Sequence, residues 1–131
     1  MPTYIPIYSG FPLQASRSDL VNFQWHVNGV VADFLLPGDD GHLLRVTFGK
    51  GCIVRLLDEM PLSTEDDDTP NKGRVPEHFA YRVEGAAFSR TQSETWKSVF
   101  GPVAHYQLVT GSACMDILSG AAPSFSIVAK S

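Results

Sequence analysis

Apolar and polar residues alternate along several short stretches of this chain, which is the pattern of β-strands that bury one face. Residues 23–27 read Phe-Gln-Trp-His-Val, and an Asn28-Gly29 pair follows at once. That pair is the strongest short signal for a two-residue hairpin, because a type I′ turn needs a positive φ at both central positions. The apolar residues 30–36 would form the return strand, with the residue before the turn opposite the residue after it. The pattern predicts an antiparallel hairpin.

Two further strands are expected directly after this hairpin. Residues 37–41, Pro-Gly-Asp-Asp-Gly, are typical of a turn, and residues 43–48 alternate again. A glycine-containing turn at residues 49–51 then leads into an apolar stretch at residues 52–57. Four strands joined by short turns predict an antiparallel meander.

The second half of the chain predicts four more strands. They cover residues 79–83, 104–110, 113–118 and 124–129. Gly111-Ser112 would close a two-residue hairpin that places Val109 opposite Cys114. The aromatic residues expected on inward faces are Trp25, Phe34, Phe48, Phe79, Tyr81, Trp96, Tyr106 and Phe125.

One helix is predicted near residues 90–100. Overlapping capping boxes begin at Ser89 and Thr91, and Gly101-Pro102 ends the helical pattern. Many short strands with a single helix define a mainly β fold, with an α+β fold as the alternative. We predict an antiparallel meander that forms a sandwich or a half-open barrel.

The composition suits one globular domain over residues 1–131, since 44% of the residues are hydrophobic and 18% are charged. Within this domain, residues 58–76 contain an acidic run at residues 65–68, followed by Thr, Pro, Asn, Lys and Gly. Such a segment predicts an exposed loop.

Charge and hydropathy argue against several classes of function. The net charge is −4 and the ten Lys and Arg residues are scattered, whereas nucleic-acid binding depends on clustered positive charge. No apolar run approaches the roughly 20 residues that span a bilayer, and the N-terminus has no basic and apolar regions of a secretory signal. We expect a soluble, cytoplasmic domain that binds neither nucleic acid nor membrane and keeps both cysteines reduced.

The sequence contains no motif for catalysis, metal binding or phosphate binding. His-x-His, Cys-x-x-Cys, the Walker spacing and the Gly-x-Ser-x-Gly elbow are all missing from it. We therefore predict no metal site, no cofactor and no catalytic residue, and the sequence favours a function without catalysis.

Two histidine–aspartate pairs are candidates for a ligand-binding face. In the predicted hairpins, His105 would be the diagonal neighbour of Asp116, and His26 that of Asp33. Should both pairs line one groove, they would form a polar floor for a ligand or substrate. The alternative function is therefore a small-molecule-binding domain or a small enzyme, although an ordinary polar sheet face has the same pattern.

The N-terminal segment is the candidate interface. Its prolines remove donors from a strand ladder, so we expect an extended edge segment and not a central strand. The predicted contact residues are Tyr4, Ile5, Ile7, Tyr8 and Phe11. Apolar and aromatic side chains on an exposed edge favour association. We predict a non-catalytic protein-binding or self-associating domain, whose partner is another protein or a second copy; the alternative is that this segment packs over the open end of the fold.

Overall fold

Strands make up most of the chain that the computed structural model describes, namely residues 3–8, 10–11, 13–49, 52–58, 77–84, 103–110 and 113–130. In chain order they are β1 (Thr3–Ile7), β2 (Leu20–His26), β3 (Gly29–Leu36), β4 (Asp39–Phe48), β5 (Ile53–Asp58), β6 (Ala80–Glu84), β7 (Ala104–Val109), β8 (Ala113–Ser119) and β9 (Ser124–Ala129). A short 3-10 helix, Ala15–Arg17, lies between β1 and β2. Each of the strands β2 to β9 overlaps a predicted segment. β2 begins three residues earlier than predicted, and β4 begins at Asp39, within the residues 37–41 predicted as a turn, because Asp39 already pairs with Leu36.

The strands form two antiparallel sheets that pack as a sandwich and not as a closed barrel. One sheet has the order β1-β6-β7-β8-β5, and the other has the order β2-β3-β4-β9. The mainly β prediction is confirmed, and β1 is an edge strand as its prolines predict. The predicted helix at residues 90–100 and residues 59–76 of the predicted acidic loop lie outside the described residues. Within the described ranges, no helix is long and apolar enough to cross a membrane.

The predicted four-stranded meander is wrong in its fourth strand. Strands β2, β3 and β4 are consecutive neighbours, but the other neighbour of β4 is β9, and β5 pairs with β8 in the second sheet. In that position, Arg55 of β5 lies opposite Asp116 of β8, a fully buried carboxylate. A buried carboxylate needs a counter-charge and hydrogen bonds, and β5 supplies both at this edge.

The predicted register of the first hairpin is shifted by two residues. Trp25, and not Val27, lies opposite Val30, so the two-residue loop begins at Val27. Neither loop residue has a positive φ, whereas Gly29 has a φ of 144°. A Cβ at Gly29 would collide with the backbone carbonyl oxygen of Phe48. The glycine is therefore required by the close approach of β4 and not by a type I′ turn.

The register of the β7–β8 hairpin is as predicted. Val109 lies opposite Cys114, and Gln107 lies opposite Asp116. The connecting residues 111–112 are outside the described part of the chain. Because the register is correct, His105 and Asp116 are diagonal neighbours on one sheet face, as predicted.

The main core lies between the two sheets. Its buried residues include Val30, Ala32, Phe34, Leu44, Val46, Phe79, Tyr106, Leu108, Met115 and Ile117. Phe34 and Phe79 meet edge to face with their ring centroids 4.7 Å apart, a geometry that adds roughly 0.5–1.5 kcal/mol to burial. A second buried cluster consists of Tyr4, Tyr81, Val83 and Val109 on the opposite face of the five-stranded sheet. The centre of that sheet is therefore buried on both faces.

Trp25 departs from the predicted set of core aromatics. Its side chain is 68% exposed, although its partner across the ladder, Val30, is buried. The difference arises because β2 is an edge strand. A side chain on the core-facing side of an edge strand is covered from one direction only.

Candidate functional site

A buried polar cluster is built around Asp116 on β8. Arg55 from β5 and His105 and Gln107 from β7 surround it, and we call these four residues the Asp116 cluster. The Asp116 Oδ1 atom accepts hydrogen bonds from His105 Nε2 at 2.8 Å and from Gln107 Nε2 at 3.0 Å. Its Oδ2 atom accepts from Arg55 Nε at 3.1 Å and from Nη2 at 2.8 Å. Both oxygens of one carboxylate are thus held by three side chains from two neighbouring strands.

The surroundings of Asp116 favour its ionised form. Burial by itself raises the pKa of this carboxyl, but the hydrogen bond and the electrostatic interaction with His105 act in the opposite direction. Hydrogen bonds from Arg55 and Gln107 add to that effect, and the pKa lies below its usual range. The Asp116 side chain is fully buried, whereas that of Arg55 is 27% exposed. An ionised carboxylate accepts hydrogen bonds only, so His105 Nε2 carries the proton in this contact.

A second ion pair lies on the outward face of the four-stranded sheet. Asp33 Oδ1 accepts a hydrogen bond from Arg45 Nε at 2.9 Å, and Oδ2 accepts from Arg45 Nη2 at 3.1 Å and from Asn22 Nδ2 at 3.2 Å. The hydrogen bonds from Arg45 lower the pKa of Asp33, burial partly opposes this, and Asn22 adds to the lowering. The three residues occupy adjacent positions across β2, β3 and β4, so they form a cross-strand row.

The two predicted histidine–aspartate pairs have different outcomes. His105 and Asp116 are in direct contact, as their diagonal placement predicts. His26 lies opposite Gly29, four residues along β3 from Asp33, which is roughly 13 Å at ~3.3 Å per residue. The exposed His26 ring contacts the Gln24 side chain at 2.9 Å instead. The shift in register explains why this second pair does not form.

The two carboxylates also do not share a groove. Met115 and Ile117, which flank Asp116 in sequence, lie in the core between the sheets, so Asp116 faces away from that core. Ala32 and Phe34 flank Asp33 in the same way. The two carboxylates therefore lie on opposite outer sides of the sandwich, and the predicted common polar floor is wrong.

Sequence reasoning missed the basic partners of both carboxylates. Arg55 reaches Asp116 through the β5–β8 pairing, which joins segments 61 residues apart and gives no local signal. The contact of Arg45 with Asp33 could have been predicted, because the two residues lie opposite one another once the β3–β4 hairpin is placed in register. A buried acid between apolar neighbours is itself a signal that an arginine lies close by.

An aromatic cavity lies beside the N-terminal segment. We call it the N-terminal cavity; its volume is about 340 Å³, and it is lined by Ile7, Tyr8, Gly10, Phe11, Leu13, His78, Phe79 and Ala80. Tyr8 is 78% exposed, and its ring lies 4.9 Å from that of His78 in an edge-to-face arrangement. The imidazole Nε2 of His78 is 3.0 Å from the carbonyl oxygen of Ile7 and donates to it. Three of the five predicted contact residues therefore border one cavity.

The remaining two predicted contact residues are placed differently. Tyr4 is 2% exposed and packs edge to face on Tyr81, with the ring centroids 5.5 Å apart. Its side chain belongs to the interior and is not accessible to a partner. Ile5 is half-buried on β1 opposite Arg82. The accessible part of the segment lies at its C-terminal end, around Tyr8.

Both cysteine side chains lie away from solvent. Cys52 and Cys114 are both buried and reduced, and burial raises the pKa of the Cys52 thiol. Among the described residues, no three His, Cys, Asp or Glu side chains converge as a metal site would require. Comparisons of the chain with models of protein families, with curated protein sequences and with solved structures found no significant match.

Proposed function

We propose that this domain binds another protein without catalysis, and that the N-terminal cavity receives an apolar side chain of that partner. The observation that carries the proposal is the cavity of about 340 Å³ beside the exposed Tyr8 ring. The volume is at the lower end of the roughly 300–1,000 Å³ typical of ligand pockets. It suits a single side chain better than a large cofactor.

The chemistry of the cavity lining supports an apolar or aromatic ligand group. Phe11, Phe79 and Ile7 provide apolar walls, and Tyr8 provides an aromatic rim. Aromatic residues next to a pocket are the usual anchors of protein interfaces, since they bury much area at a small entropic cost. In the neutral His78 ring, donation through Nε2 leaves Nδ1 as an acceptor for one polar group of the partner.

The positions of the two histidine–aspartate pairs do not favour the alternative of a small-molecule site or a small enzyme. It required His26, Asp33, His105 and Asp116 to line one groove. His26 and Asp33 are separated along the hairpin, and the Asp116 cluster lies on the other outer side of the sandwich. The carboxylate of Asp116 has both oxygens occupied by neighbouring side chains, an arrangement that favours a structural role.

The test is capture of binding proteins from lysate of the native host by immobilised wild-type chain, Tyr8→Ser and Tyr8→Phe. Tyr8→Ser removes the rim ring, and we expect it to lose the captured protein while its melting temperature stays the same. Tyr8→Phe keeps the ring and should retain capture. Equal capture by wild type and Tyr8→Ser would refute the role of this cavity.

A further inference from the structure

Strand β2 is an edge that is open to association. In the part of the chain that the structure describes, its sheet neighbour is β3 alone. Alternate N–H and C=O groups of an edge strand point away from the sheet, where they can pair with another strand. Val21, Trp25 and Val27, in β2 and directly after it, are 50%, 68% and 86% exposed. This edge therefore combines backbone groups directed outward with exposed apolar side chains.

The other edges carry features that discourage strand pairing or expose less apolar surface. β1 contains Pro6, and β5 contains the charged residue Arg55; prolines and charges are common means of blocking an edge. β9 has neither, but of its side chains Ile127 is the one large apolar group with substantial exposure, at 38%. β2 contains no proline and no Asp, Glu, Lys or Arg in its seven residues. A β-bulge interrupts β2 between Leu20 and Asn22, but the residues from Asn22 to His26 pair regularly with β3 and form an uncharged edge with an exposed aromatic side chain.

The charges around β2 favour a second copy of the chain as its partner. Between residues 20 and 36 the one acidic or basic residue other than histidine is Asp33, and Arg45 neutralises it at 2.9 Å. The chain as a whole carries a net charge of −4, so two copies repel one another except where the surface is locally neutral. A neutral edge also offers no attraction to a strongly charged partner.

The sequence of β2 is complementary to itself in one antiparallel register. With Gln24 on a two-fold axis, Trp25 of one copy lies opposite Phe23 of the other. Val21, at the β-bulge, and Val27, in the turn after β2, lie at the two ends of the paired segment. The exposed Trp25 ring then meets the aromatic ring of Phe23, and cross-strand aromatic pairs are among the favourable ones. An axis through Phe23 would instead place the exposed Val27 opposite a carboxylate, Asp19.

We infer that two copies of this chain associate through β2 in antiparallel register, with Gln24 at the two-fold axis. The two four-stranded sheets become one continuous eight-stranded sheet. The same surface is used on both copies, as a two-fold dimer requires. This association uses a different sheet from the strands that border the N-terminal cavity, so either can fail without the other.

The test exploits the axis position, where each residue faces its own copy. Gln24 is exposed, and Gln24→Lys or Gln24→Glu places two like charges directly opposite one another. We expect sedimentation equilibrium to show a dimer for the wild type, twice the 14.3 kDa of the chain. Each variant alone should raise the dimer dissociation constant about tenfold or more. An equimolar mixture of the two variants pairs Lys with Glu and should restore the dimer.

Ser124→Lys is the matched control, because Ser124 is exposed on β9, the opposite edge of the same sheet, and lies opposite the uncharged Thr47. This variant makes the same charge change and should remain dimeric. Circular dichroism of all the variants should match that of the wild type. A wild type that sediments as a monomer at all concentrations would overturn the inference. So would a dimer that Gln24→Lys leaves intact, or one that Ser124→Lys dissociates.

Discussion

Replacing Asp116 with asparagine removes one negative charge from the Asp116 cluster and changes its volume very little. The carboxylate accepts four hydrogen bonds, two of them from the Arg55 guanidinium. An asparagine oxygen can accept some of these, but its amide group then points a donor at another donor. The variant therefore removes the charge that faces Arg55 and breaks at least one of these four hydrogen bonds.

The burial of the ion pair determines how much the substitution lowers the free energy of unfolding. Removing one partner of a buried ion pair costs about 3–5 kcal/mol of unfolding free energy. Since the Arg55 side chain is 27% exposed, water can solvate part of the remaining charge, and we expect the lower end, about 3 kcal/mol. Asp33→Asn is the matched comparison, because its partner Arg45 is 38% exposed on the outward face. We expect a smaller loss there, about 1–2 kcal/mol.

The assay is urea unfolding followed by circular dichroism, with both variants measured beside the wild type. The pH dependence provides a second readout. The pKa of Asp116 is lowered in the fold from an ordinary value of 3.8, so its contribution is full above that pH and is lost as the pH falls through the lower folded value. Wild-type stability should fall in this acidic range, and Asp116→Asn should fall less. A loss under about 1 kcal/mol, or a larger loss for Asp33→Asn, would refute the argument.

Three further predictions concern single positions. Gly29→Ala should lower the melting temperature clearly, because the added Cβ meets a backbone carbonyl. Gly41→Ala should have little effect, because the nearest atom is in a flexible side chain at 3.8 Å. Equal melting temperatures of the two variants would contradict this. Tyr4→Ser should lower the free energy of unfolding by about 3–5 kcal/mol because the ring is buried, and Tyr8→Ser should lower it by less than about 0.5 kcal/mol. A larger loss for Tyr8→Ser than for Tyr4→Ser would contradict this. Thiol titration should find two reactive thiols per unfolded chain and very slow reaction in the native state, because both are buried; fast native reaction would show that they are accessible.

The sequence predicted those parts of the fold that local chemistry determines. Alternation located the strands, and the β7–β8 register followed from a two-residue connection that fixes which residues face one another. The contact between His105 and Asp116 was therefore predictable from the sequence alone. In each case the interacting residues are close in sequence.

Predictions failed where the deciding contact is distant in sequence. The β5–β8 pairing joins Arg55 to Asp116 across 61 residues, and no local turn signal predicts this pairing. At Gly29, the steric limit comes from β4 and not from the turn, so the usual turn rule gave a register that was shifted by two residues. The exposure of Trp25 depends on the order of strands in the sheet, which alternation alone does not specify.

Binding of another protein beside Tyr8 is tested most directly by site-specific photo-crosslinking. A benzophenone amino acid is placed at position 8, and in a control chain at position 126 on β9, and both chains are irradiated in lysate of the native host. We expect one defined adduct from position 8 whose mass differs from twice the chain, and no such adduct from position 126. No adduct from position 8, or one that contains two copies of this chain, would contradict it.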